Sequence, residues 1–206
     1  MGYGFNKLPS WWVYDPTYAL KSFLGGRSAG ESIASLKILL AITTDVEYKS
    51  SNAVVTYDYI EEVAGISRPM IKKALDKLQF LKIVEVLPHP ENKKVKIYHL
   101  VEMKKGQGWA KLPRDRVKNK LRDIPSRGKA SLSALKIYVT LLAFRTNRTR
   151  RANASYETLR VYTGLQSSDI RQGLDILINH GFIHIDQRRE ENLSNSYELL
   201  GIVEEG

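Results

Sequence analysis

The chain has 206 residues, 43% of them apolar and 26% charged, with no cysteine and a formal net charge of +10. That is enough for one large or two small domains with a packed core. Without thiols there is no disulfide framework or thiolate metal site, so a cytoplasmic, reducing setting is expected. No charged n-region precedes an apolar h-region, so no secretory signal is expected. The longest apolar runs, LKILLAI and LKIYVTLLAF, are far shorter than a bilayer span.

The charge is concentrated. Residues 1–29 carry a net +2, residues 30–103 and 130–206 are each neutral, and residues 104–129 hold ten basic and two acidic side chains. Such a run is often a solvated linker. Between two neutral regions it also fits an element facing phosphates, since each neutralised phosphate releases a condensed counterion.

Along the chain, GFNKLP (4–9) opens an aromatic stretch, SWWVYDPTYAL. A helix follows with apolar residues at helical spacing: Ile33, Leu36, Leu39, Leu40 and Ile42. After a polar loop, Thr56 suits the N-cap of a short helix, and Gly65 suits its left-handed C-terminus. A third helix, with Ser67 as its cap, buries Ile71, Ala74, Leu75 and Leu78. The segment IVEVL-PHPENK-KVKIYHLV then reads as a hairpin with a charged tip.

GWAKLP (108–113) then starts the pattern again. Shifting the sequence by 99 residues sets SIASLKILLAITTDVEY on SLSALKIYVTLLAFRTN without a gap. Ser155, Gly164 and Ser167 take the capping and turn roles, and Ile170, Gly173, Leu174 and Leu177 form the apolar face. FIHID-QRREENLSN-SYELLGIV forms the hairpin. The predicted fold is α+β, mainly α: two tandem winged helices from an internal duplication, at residues 30–103 and 130–206. Residues 1–29 form an aromatic lead-in arm, and residues 104–129 a basic lead-in or linker.

ANASYETLRVYTGLQSSDIRQGLDILINHGFIHI resembles the winged-helix regions of plasmid and phage replication initiators and related transcription regulators. The positions that carry the resemblance are Ser155, Leu159, Thr163, Gly164, Leu165, His180, Gly181, Phe182 and Ile183. Gln166 stands where that motif usually has serine, and the third helix is less basic than is usual there. The aromatic-x-Lys-Leu-Pro lead-in resembles the extended segment that often precedes such domains. The resemblance implies double-stranded DNA as partner, with initiator and repressor of a mobile element as the two roles, in the cytoplasm on the nucleoid.

Removing the core face from each third helix leaves Arg68, Met70, Lys72, Lys73 and Lys77 outward in the first unit, and Ser168, Asp169, Arg171 and Gln172 in the second. Arg68, Arg171 and Gln172 suit bidentate reading of guanine and adenine, while Lys72 and Lys73 suit phosphates. Backbone contacts are expected from Arg114, Arg116, Lys118, Lys120 and Arg122, and from Arg145, Arg148, Arg150 and Arg151 in the loop RTNRTRRANAS. Wing tips add Lys93, Lys94, Arg188 and Arg189. With both readers on one face, two unlike half-sites about ten base pairs apart are expected.

Trp11, Trp12 and Tyr14 are expected to enter the chain's own core, the alternative being a homodimer or a replication or transcription partner. His180 and His184 lie four apart across a helix end, with no third metal ligand beside them. No nucleophile–base pair or glycine-rich phosphate loop occurs, so an enzyme, a metal and a cofactor are not expected. A protein–protein scaffold built from winged helices is the other class, and the +8 segment argues against it.

Overall fold

The computed structural model describes residues 4–15, 19–102, 108–146, 149–186 and 195–202. The chain is α+β, about half helical, with small antiparallel sheets. Strand β1 (Phe5–Pro9) leads through helix α1 (Ala19–Ser22) to α2 (Ala29–Thr43), β2 (Asn52–Thr56), α3 (Tyr57–Ala64), α4 (Arg68–Phe80), β3 (Val84–Pro88) and β4 (Val95–Leu100). The second half has the same order: β5 (Trp109–Pro113), α5 (Arg114–Lys120), α6 (Lys129–Phe144), β6 (Arg151–Ala154), α7 (Tyr156–Thr163), α8 (Ser167–Asn179), β7 (Ile183–Asp186) and β8 (Asn195–Leu199). Each half has one three-stranded sheet, ordered β2-β4-β3 and β6-β8-β7. No helix among the described residues is long and apolar enough to cross a membrane.

Capping chemistry sets the helix boundaries. Thr56 Oγ1 accepts the Tyr59 amide at 3.1 Å, and Ser155 Oγ accepts the Thr158 amide at 3.0 Å. Helices α3 and α7 end at Gly65 and Gly164, with φ of +63° and +70°, a region that side-chain-bearing residues rarely enter. The expected cap of α8 needs correction. Gln166, and not Ser167, is the N-cap: its side chain accepts the third amide of the helix, and Asp169 accepts the Gln166 amide at 3.4 Å. The departure from the resembled motif at Gln166 is thus a different capping group.

Helices α2 and α6 form the centre. Sequence spacing predicts one apolar face on each, yet every residue from Ser32 to Thr43 and from Ser131 to Ala143 is buried. The reason is that α2 lies against α3 and α4 on one side and α6 on another, while α6 is covered by α7 and α8.

The two lead-ins pair with each other. In the β1–β5 ribbon Phe5 faces Pro113, Lys7 faces Lys111 and Pro9 faces Trp109. Lys7 and Lys111 hold the same place in GFNKLP and GWAKLP, so exchanging the strands leaves the register unchanged. Phe5 and Trp109 stack at 6.0 Å. Like charges directly opposite destabilise a ladder, and each lysine is compensated separately. Lys7 pairs with Glu102 at 2.7 Å, while Lys111, buried, sets its ammonium 4.4 Å from the centre of the Phe5 ring.

Beyond the ribbon each lead-in crosses to the other half. Tyr14 donates to the Ala143 carbonyl and stacks on Phe144 at 5.6 Å; reciprocally, the Lys118 ammonium lies 5.3 Å from the Tyr59 ring centre. Lys21 covers Gly164, and Arg122 covers Gly65. Trp12, Val13, Leu20, Phe23, Val117, Leu121 and Ile124 belong to one buried cluster with both halves. The stretches expected to be an arm and a linker therefore supply core residues. Trp12 is fully buried, with Nε1 donating to Pro9 O at 2.8 Å, and Trp11 Nε1 donates to Val101 O at 2.8 Å. Trp12 thus lies in the chain's own core, as expected, and is withdrawn from the partner alternative, whereas Trp11 is partly exposed and Tyr14 is exposed.

Helix α8 approaches α6 backbone to backbone at Gly173, where an added Cβ would lie 2.9 Å from Ala134 N and 2.9 Å from Ser133 C. Alanine gains up to about 1 kcal/mol of helix propensity over glycine. Backbone cannot yield as a flexible side chain does, and overpacking of this kind costs about 1–3 kcal/mol. Gly173→Ala is therefore expected to lower the denaturant midpoint in chemical unfolding; an unchanged or raised midpoint would contradict this packing.

Candidate nucleic-acid interface

Helix α4 turns Ile71, Ala74, Leu75 and Leu78 inward and leaves Arg68, Lys72 and Lys73 exposed. Arg68 pairs with two carboxylates of α3, Asp58 and, at 3.5 Å, Glu61, while its side chain stays 60% exposed. Pairs of this kind contribute about 1 kcal/mol or less, so an incoming phosphate or base can displace them. Among the described residues neither Lys72 nor Lys73 forms an ion pair. Lys93 and Lys94 are exposed at the β3–β4 turn. Together with Arg68, Lys96, Thr56, Tyr57 and Asp58 they line an open groove of about 560 Å³. Four cations thus face one carboxylate. Lys96 is absent from the sequence expectation, although the predicted hairpin arm KVKIYHLV sets it two residues from Lys94, on the same face of an extended chain.

The second half is less cationic. Ser168, Arg171 and Gln172 are exposed on α8, but Asp175 shares that surface. Arg150 is bonded to Glu198 at 2.9 Å, and Arg151 is exposed on β6. Two expected contacts need correction. Arg145 is buried, and its guanidinium donates to the Thr146 and Thr149 carbonyls at 2.7 Å each, so it closes its own loop. Lys77 is half-buried: it donates to Ser32 Oγ at 3.2 Å and lies over Phe23, and burial lowers its pKa. Arg148, Arg188 and Arg189 lie outside the described residues.

The described part of the basic segment, residues 108–129, touches the loop after α8 and the turn before α4. Arg114 is partly covered beside Asn6, Asp45 and Glu47, with Nε buried. Arg116 lies over Gly181 and Gly201, next to the end of α8. Lys118, Lys120 and Arg122 are exposed; Lys120 is 3.6 Å from Asp123, and Arg122 sits on the turn that opens α4. Asp169, expected to face outward on α8, is instead buried in its first turn, where it accepts the Gln166 amide and pairs with Lys129 at 2.8 Å.

Sequence reasoning also missed two buried lysines, Lys37 and Lys136, at the same position of the repeated LKI. Lys37 Nζ donates to Ile124 O at 2.7 Å and Ser126 Oγ at 3.1 Å, and Lys136 Nζ donates to Thr163 O at 3.0 Å. Their recurrence in LKI was the available signal. Burial is the main reason that both pKa values fall to about 8; Arg122 adds to the effect at Lys37, against Asp123, and Lys77 and Lys21 add to it at Lys136. Lys136 lines a cavity of about 380 Å³ with Lys21, Lys129 and the turn Thr163–Gln166.

Among the described residues no group of three His, Asp or Glu side chains is placed to hold a metal ion. Comparison of the chain with family models, curated proteins and solved structures finds no match.

The lysines give stability a definite pH dependence. Unfolded lysine binds its proton up to about pH 10.5, the folded pair only below about 8, so the unfolded state holds more protons in between. Stability therefore rises with pH across that window, by roughly 2 kcal/mol per lysine between about pH 7.5 and 9.5. Above about pH 10 the buried Tyr98, Tyr138 and Tyr197 oppose the trend, because burial raises their pKa values and ionisation favours the unfolded chain. Denaturant melts across the window should show the rise, and the Lys37→Met/Lys136→Met double variant should flatten it. An unaltered slope in that variant would refute the assignment.

Proposed function

We propose that this protein binds double-stranded DNA through two winged helices that arose by duplication. In this reading each half contributes a helix-turn-helix, α3–α4 or α7–α8, and a wing, β3–β4 or β7–β8. The supporting observation is the groove between α4 and the β3–β4 turn, where Arg68, Lys93, Lys94 and Lys96 converge beside exposed Lys72 and Lys73. In a helix-turn-helix the start of the second helix meets base edges, and neighbouring elements grip phosphates. Arg68, Arg171 and Gln172 read bases; Lys72, Lys73, Lys93 and Lys94, with Lys118, Lys120 and Arg122, contact the backbone. The mechanism is site occupancy. The role that the sequence resemblance favours is initiation of replication on a plasmid, phage or other mobile element, and a repressor of such an element would use the same surface.

The test is duplex binding by fluorescence anisotropy over a salt series. Removing one lysine–phosphate interaction reduces the log–log salt slope by about 0.9. Lys72→Glu/Lys73→Glu is expected to weaken binding at least about tenfold and to lower the slope by about 2. No retention of duplex at low salt, or an unchanged slope in the variant, would refute the reading and favour a protein–protein scaffold.

A further inference from the structure

We propose that the two reading helices engage half-sites of opposite polarity, so that the target is an inverted repeat in frame whose two halves differ in sequence. This rests on the DNA-binding reading above, and it adds what that reading leaves open, the relative direction of the half-sites.

The argument is one of symmetry. Repeats stacked by translation touch through unlike surfaces: the back of one unit meets the front of the next, and no contact has a reciprocal. Units related by a two-fold touch through the same patch on each, so a contact from i to j is matched by one from j to i. The joint in this chain is of the second kind residue by residue in the ribbon and segment by segment in the crossing lead-ins, and the contact between the equivalent central helices agrees with it. In the ribbon the equivalent residues Lys7 and Lys111 face each other, and Phe5–Pro113 is matched by Trp109–Pro9. In the crossing lead-ins each segment covers the helix–helix turn of the other half, Lys21 at Gly164 and Arg122 at Gly65; the glycines are equivalent under the 99-residue shift, and the covering residues lie within three positions of equivalence. At the centre the equivalent helices α2 and α6 contact each other.

A two-fold that carries one unit onto the other also carries one half-site onto the other, and it reverses the direction of the strand being read. Head-to-tail half-sites would need a translation between the units, which the reciprocal contacts exclude. The letters of the two halves need not agree, because α4 presents Arg68, Lys72 and Lys73 where α8 presents Ser168, Arg171 and Gln172.

The chain contains no cysteine, so single cysteines can be added cleanly. Ser67→Cys and Ser167→Cys mark the starts of the two reading helices, and Phe80→Cys and Asn179→Cys mark their ends, all at exposed positions. Each variant would carry a tethered iron–EDTA cleavage reagent and be bound to a duplex selected from a random-sequence pool. Opposite polarity predicts that the start-of-helix pair cut opposite strands preferentially, and likewise the end-of-helix pair. The midpoint between the two start-of-helix cuts should coincide with that between the two end-of-helix cuts. Preferential cutting of the same strand, with equal separations and displaced midpoints, would overturn the inference and leave DNA binding standing. Failure to select any duplex would overturn both.

Discussion

The arrangement depends on the joint between the two lead-ins. An isolated two-stranded ribbon of five residues a side is marginal in water, and this one places two lysines opposite each other at its centre. It is stabilised by what surrounds it: the Phe5–Trp109 stack, the Lys7–Glu102 pair, the Lys111 ammonium over Phe5, and the helices α2 and α6. The joint also explains why α2 and α6 are buried on all sides. Each is at once the first helix of its half and part of the contact between halves.

The exchange of lead-ins binds each half to the turn of the other. Gly65 and Gly164 are required by their positive φ, and each is also the floor on which the opposite lead-in rests. Movement of α3–α4 relative to α7–α8 would break the Lys21 and Arg122 contacts and pull Lys37 from the Ile124 carbonyl. In the proposed DNA-binding role such a joint holds the two readers at one spacing before any duplex arrives, which removes part of the ordering cost of binding.

Much of the fold was legible in the sequence because its signals are local. The hydroxyl before α3 and α7, the glycine after them and the period of the apolar residues each act within one helix, and Thr56, Ser155, Gly65 and Gly164 take the expected roles. The pairing of GFNKLP with GWAKLP was not legible. The repeat showed that the two strings are equivalent, but nothing local says that equivalent strands bond to each other. The site was legible in part. Outward positions on α4 and α8 follow from helical geometry, so Arg68, Lys72, Lys73, Arg171 and Gln172 are exposed as their spacing implies. Arg145 and Lys77 could not be placed from sequence, because a long cationic side chain can fold back onto a carbonyl or hydroxyl that only the tertiary structure supplies. Lys37 and Lys136 escaped notice because a lysine in an apolar helix is usually solvated at its tip, and here the joint covers both tips.

Calorimetric unfolding tests the central claim, that the ribbon and exchanged lead-ins make the two halves one cooperative body, most directly. The account predicts a single transition whose calorimetric and van't Hoff enthalpies agree. Two separable transitions, each carrying about half of the enthalpy, would show that the halves unfold independently and would contradict it.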